Sequence, residues 1–172
     1  MYDNYPQSFL DLLKSEHDYI GQGNPNSKIL IVGREHGFSD EHQCSLEIWR
    51  NKEQWEQIAQ GVPFSEEGYS PRTCFAGRGQ EFRLDVKSKS GGTSPTWYIY
   101  QMIVNALCPH EMPQGERAPL LDFFNYSFIT EFSTASRPNN NNPTEEEIAA
   151  TRRSIEKRTP LLSSDFYRSF PI

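Results

Sequence analysis

Phe123-Phe124-Asn125-Tyr126-Ser127-Phe128-Ile129-Thr130, followed by the polar segment Glu131 to Pro143 and then by Thr144-Glu145-Glu146-Glu147, reads as strand, loop and capped helix. The apolar run over 123–130 has the length and aromatic content of a strand buried on both faces. Thr144 with Glu147 three residues later is a capping box, and Ile148 and Ile155 mark the buried stripe of the helix that follows, up to Pro160. A buried strand that runs through a Pro- and Asn-rich loop into a helix N-terminus builds an edge suited to a phosphate or a base.

Working outward, Lys28-Ile29-Leu30-Ile31-Val32 reads as a second strand buried on both faces, ended by Gly33. Phe9, Leu10, Leu12 and Leu13 predict a short amphipathic helix after Pro6, closed by the loop Gly21 to Asn26. Ser45 is positioned to cap a helix carrying Leu46, Trp49, Trp55, Ile58 and Ala59, with Gly61 as its stop. Val62 to Gly92 reads as a long ordered loop, and loops of that length inside a domain are usually functional. Ser94-Pro95-Thr96 opens a helix through Trp97, Tyr100, Gln101, Ile103, Val104 and Leu107, with Pro in the first turn, where its missing N–H costs nothing. Trp97, Tyr98 and Tyr100 are expected as core or rim aromatics, and Phe170-Pro171-Ile172 as the opening of a further strand. Buried strands alternating with helices predict an α/β domain over 1–172, with a parallel sheet covered on both faces. Ligands bind such sheets at the carboxyl edge, where the loop Gly33 to Phe38 and the segment Glu131 to Pro143 converge. If the two strands are parallel neighbours, Glu35 and Glu131 share a rim.

The composition narrows the class. With 172 residues, 35% apolar, 13% aromatic and a formal charge of -6, the chain suits one globular domain. It has no apolar run long enough to span a membrane, and Met1-Tyr2-Asp3-Asn4 lacks the order of a signal peptide, so the expectation is a cytoplasmic protein without a membrane partner. Cys44, Cys74 and Cys108 are odd in number and far apart, which predicts reduced thiols and neither disulfides nor structural zinc. An acidic total disfavours tight non-specific binding to nucleic acid, yet a local basic face can still contact phosphates. Arg152, Arg153, Lys157 and Arg158 read as a solvated helix face.

Three patches carry a resemblance: Ile31-Val32-Gly33 with its polar loop, Arg72-Thr73-Cys74-Phe75-Ala76-Gly77-Arg78-Gly79, and Ile129-Thr130 through Glu147-Ile148. In order and spacing they resemble successive motifs of the uracil-DNA glycosylase superfamily, nearest to its iron–sulfur branch. The resemblance implies a three-layer α/β/α fold around a four-stranded central parallel sheet, and hydrolysis of the N-glycosidic bond of a base flipped from DNA or of a related nucleoside. Glu35 then falls at the carboxylate of the first motif in the branch reading Gly-Gln-Asp-Pro-Tyr-His, and one place later than in the Gly-Glu-Ala-Pro-Gly pattern. A carboxylate there stabilises the oxocarbenium-like sugar and aligns a water. His36 replaces the motif's Pro beside the base. Phe75 takes the place of the stacking ring, a contact of about 1 to 3 kcal/mol. Glu131 replaces an Asn that reads uracil, and a carboxylate only accepts where an amide also donates. Arg137, Asn139 and Asn140 fall in the family's loop near DNA phosphates.

Each residue also has a plainer reading: Glu35 and His36 as solvated loop residues, Phe75 as a core anchor, Glu131 as a structural cap, and the Asn run as a surface turn. The cluster of the iron–sulfur branch needs four thiolates, whereas Ala135 or Ser136 and Thr151 stand at two of its positions and the N-terminal pair is absent, so no cofactor and no metal are expected. The sequence stops at Ile172, where the family continues into a Gly-ended strand and a His loop; His17, His42 and His110 lie outside the motifs. The chain is then either a fragment or a member lacking that motif, and a homo-oligomer or a complementary chain is a candidate partner for the open sheet edge. Two other readings stand beside the glycosylase: a non-catalytic module of the same fold that binds a nucleotide, nucleic acid or protein, and a hydrolase of an N-ribosyl small molecule.

Overall fold

The structure, a computed structural model, describes residues 5–15, 18–35, 41–60, 95–108, 123–136 and 142–171. These residues form α1 (Gln7–Ser15), β1 (Gln22–Gly23), β2 (Ile29–Glu35), α2 (Glu41–Ala59), α3 (Pro95–Leu107), α4 (Phe123–Tyr126), β3 (Ser127–Ser133), α5 (Glu145–Leu162) and α6 (Asp165–Arg168). The expected long loop Val62 to Gly92 lies outside the described residues.

The three strands make one small mixed sheet in the order β1-β3-β2. β2 and β3 run parallel, with Ile29 opposite Ser127 and Glu35 opposite Ser133. β1 pairs antiparallel through Gln22 with Ile129 and Gly23 with Phe128, a strand that lies inside the expected loop 21–26. Two residues flanked by Gly and Asn are too few to show an alternating pattern in sequence.

Both principal strands are displaced from their expected limits. Gly33 does not end β2 but sits within it, paired with Glu131, and the strand runs on to Glu35. Residues 123–126 form a helical turn and β3 begins only at Ser127, whose hydroxyl donates to Phe123 O at 2.7 Å. Glu131 is therefore a strand residue and not the first residue of a loop.

Strand alternation divides the core. Phe128, with Leu30, faces Phe9, Leu12 and Leu13 of α1, Trp55 of α2, Leu161 of α5, and Phe166 and Tyr167 of α6. Ile129, with Ile29 and Ile31, faces Val104 of α3 and Phe123 and Phe124 of α4. Helices thus pack on both faces of the sheet. Full burial of each such side chain contributes about 1.5–3 kcal/mol.

α1 and α3 keep their expected limits, whereas α2 starts at Glu41, so Ser45 lies inside it. The capping box of α5 is formed: Thr144 Oγ1 accepts from Glu147 N at 3.2 Å, and Glu147 Oε2 accepts from Thr144 N at 2.6 Å. Its buried face is not the expected one. Ile148 and Ile155 are 39% and 38% exposed, while Arg158 and Leu161 are buried, and the helix continues through Pro160 to Leu162. The final segment is the short helix α6 and not a strand; Phe170 beyond it packs its ring on Phe128 and Phe166. Cys44 and Cys108 are free thiols, Cys44 buried.

Candidate functional site

The carboxyl end of the parallel pair carries two acidic positions. Gly33 faces Glu131 and Glu35 faces Ser133, so the two glutamates stand two register steps apart at the same end of β2 and β3. Glu131 is half-buried and its carboxyl group lies directly over Gly33: a Cβ at position 33 would approach Glu131 Cδ to 2.6 Å and Oε1 to 2.7 Å. Oε2 is buried. A side chain at position 33 would displace this carboxyl group, so the glycine leaves room for it to lie over the strand.

Tyr100 of α3 lies near this carboxyl group, its ring edge-on to Phe123 at 5.9 Å. Burial, and then the charge of Glu131, push its phenol up to about 12. The hydroxyl therefore stays protonated, a neutral donor and acceptor beside a carboxyl group.

On the other face of β3 lies a polar knot centred on Arg158. Arg158 is wholly buried rather than on a solvated face. Its Nε donates to Glu131 O at 3.0 Å and its Nη2 to Thr130 Oγ1 at 3.1 Å; Nη1 donates to Tyr19 O at 2.8 Å and Asp18 Oδ1 at 3.1 Å. Lys157 reaches Asp18 Oδ2 at 3.3 Å from the solvent side. The physical reason for burying this cation is the backbone beside it. Before Gln22 the chain no longer pairs with β3, and its buried polar groups need partners.

Helix side chains supply those partners. Asn51 Oδ1 accepts from Ile20 N at 2.9 Å, while Asn51 Nδ2 and Trp55 Nε1 donate to Gly21 O at 2.7 and 2.8 Å. Tyr167 donates its hydroxyl to Ile20 O. Thr134, just past β3, donates its N–H to Ser154 Oγ at 2.8 Å and accepts at its carbonyl the thiol of Cys44. Gly21 adopts φ +138, and a Cβ there would collide with Ile129 O and the Phe128 ring.

Of the residues expected at the site, Glu131 is placed in full and Glu35 by its backbone at the end of β2. His36, Phe75, Arg137, Asn139 and Asn140 lie outside the described residues, as do the Asn-rich turn and the expected stacking loop. Tyr100 and Arg158 are the additions. Arg158 falls in line with Thr151, Ser154 and Leu161 at helical spacing, a stripe that departs from the Ile148–Ile155 line. That alignment with Leu161 was the available signal, and the charge of the residue masked it. Among the described residues no group of three or more His, Cys, Asp or Glu side chains is arranged to hold a metal ion, and no helix is long and apolar enough to cross a membrane. A separate open groove of about 610 Å³ runs along α2, lined by Ser45, Ile48, Trp49, Lys52, Glu53 and Glu56, and includes none of the strand-edge residues.

Among the described residues, these elements define a mixed α/β arrangement with a small three-stranded sheet and a polar strand edge. No protein-family model, no curated protein and no solved structure matches the chain.

Proposed function

We propose that the chain is a uracil-DNA glycosylase-like hydrolase that cleaves the N-glycosidic bond of a base flipped from DNA, or of a related nucleoside. The observation that supports this reading is the parallel β2–β3 pair, whose carboxyl end carries Glu35 opposite Ser133 and Glu131 across Gly33. Ligands of α/β sheets bind at that end of the strands. In this reading Glu35 stabilises the oxocarbenium-like sugar and orients the water that adds to it, while the bonding pair leaves with the base. Phe75 stacks on the base, His36 and Glu131 face its edge, and Arg137, Asn139 and Asn140 hold phosphates. A three-layer arrangement around a central parallel sheet and a cytoplasmic site of action belong to the same proposal.

The test is base release from single-stranded oligonucleotides that carry uracil, hypoxanthine or an unmodified base at one position, followed by chromatography. Release by the native protein that falls at least ~100-fold in Glu35→Ala, with the circular dichroism unchanged, is the expected outcome. No free base from any substrate removes the proposal.

A second reading, the non-catalytic binding module, draws on one observation: the Glu131 carboxyl group is packed over Gly33 with Oε2 buried, a structural use of the group. It predicts oligonucleotide binding without turnover, weakened by Phe75→Ala and by added salt.

A further inference from the structure

We infer that Arg158 is a positioning residue for the Glu131 edge, fixing strand β3 from the sheet face opposite the one on which the Glu131 carboxyl group lies. The inference rests on the proposed function only in treating that edge as a site.

The geometry is that of a substitute rung. β1 runs antiparallel to β3, so the residues before Gln22 pass alongside those after Ile129, but the ladder stops at the Gln22–Ile129 pair. Where it stops, the guanidinium spans the two backbones, with Nη1 on Tyr19 O and Nε on Glu131 O. Nη2 on Thr130 Oγ1 and Nη1 on Asp18 Oδ1 hold the plane of the group. Thr130 shares its face with Phe128, and Glu131 shares its own with Ile129 and Gly33, so Arg158 acts on the carboxyl group through the backbone and not by contact. A planar fork with separated donors makes all four bonds at once. Lysine, a single point of charge, cannot bridge two strands in this way.

Tyr100 supplies a readout that a purely structural role would leave alone, because its ionisation senses the Glu131 charge. In protein labelled with ¹³C-tyrosine, the Tyr100 signal is assigned by its loss in Tyr100→Phe and followed through alkaline titration. Glu131→Gln sets the scale by lowering the Tyr100 midpoint. Arg158→Lys is expected to keep its far-ultraviolet circular dichroism and to lower the midpoint by at least half of the Glu131→Gln shift. In the Glu131→Gln background it should add nothing. If Arg158→Lys does not fold, Thr130→Val, which removes one anchor, is expected to move Tyr100 in the same direction by less. Tyr100 unmoved in the variant that folds, or moved equally with and without the Glu131 carboxylate, overturns the inference, as does a Glu131→Gln protein whose Tyr100 titrates as in the native one. Base release is read separately. Its absence ends the proposed activity without touching the Tyr100 result, and an unmoved Tyr100 with release intact ends the positioning role alone.

Discussion

Tyr100 keeps its proton into the alkaline range because its hydroxyl is partly withdrawn from water and faces the charge of Glu131. A phenol whose folded pKa is raised from 10.0 to about 12 contributes stability that is present below about pH 10. As the pH climbs from there to about 12, the unfolded chain loses its proton first and that stability disappears. Tyr100→Phe is therefore expected to flatten the fall in unfolding free energy between about pH 10 and 12, measured by urea titration at each pH. An identical slope in the two proteins contradicts the assignment. Its place at the end of an apolar strand run made Glu131 conspicuous in sequence, but not the glycine beneath it or the tyrosine beside it, since both neighbours come from other elements. Arg158 is the sharper case. A charged side chain reads as solvated, and its burial goes with the buried segment 18–21, some 140 positions away in sequence, whose Asp18 carboxylate and Tyr19 carbonyl it binds.

At the level of elements, signals carried by adjacent residues were legible and those carried by packing were not. The start of α5 follows from Thr144 and Glu147, three residues apart, and both reciprocal bonds are present. Thr144→Ala removes one of them and leaves the Glu147 N–H without its cap; a loss of about 1 kcal/mol is expected in chemical denaturation, with Glu147→Ala giving a similar figure. A loss below the error of the measurement would show that solvent replaces the cap without cost. The inward face of the same helix needed a tertiary partner to define it. β3 lies against Arg158 and Leu161, so the line through those residues is buried and the isoleucines at 148 and 155 are turned partly outward. The aromatic run 123–126 also fits either a turn of helix or a strand, and Gln101 decides the matter from α3 by accepting the N–H of Phe123 at 3.0 Å.

Across the whole molecule, Phe128 is the point where one face of the sheet meets four helices. Its ring lies against Phe9 at 5.8 Å, Trp55 at 6.0 Å, Phe166 at 5.1 Å, Tyr167 at 6.3 Å and Phe170 at 6.1 Å. Phe128→Ala is expected to cost about 3–5 kcal/mol of stability, read from the denaturation midpoint, because rings from both ends of the chain would have to close the cavity together. A cost under about 1 kcal/mol would mean that this face packs differently. From sequence alone came the α/β character, the parallel kinship of the two apolar strands and the presence of acidic positions at their carboxyl ends, because strand-length apolar runs and caps are set by neighbouring residues. Tertiary structure alone decided the antiparallel β1, the strand limits, the seat of Glu131 over Gly33 and the buried Arg158. The strand register sets Glu131 opposite Gly33; Arg158 is buried because a polar group removed from water must be satisfied by whatever side chain the fold brings to it, and neither is fixed before the elements have packed.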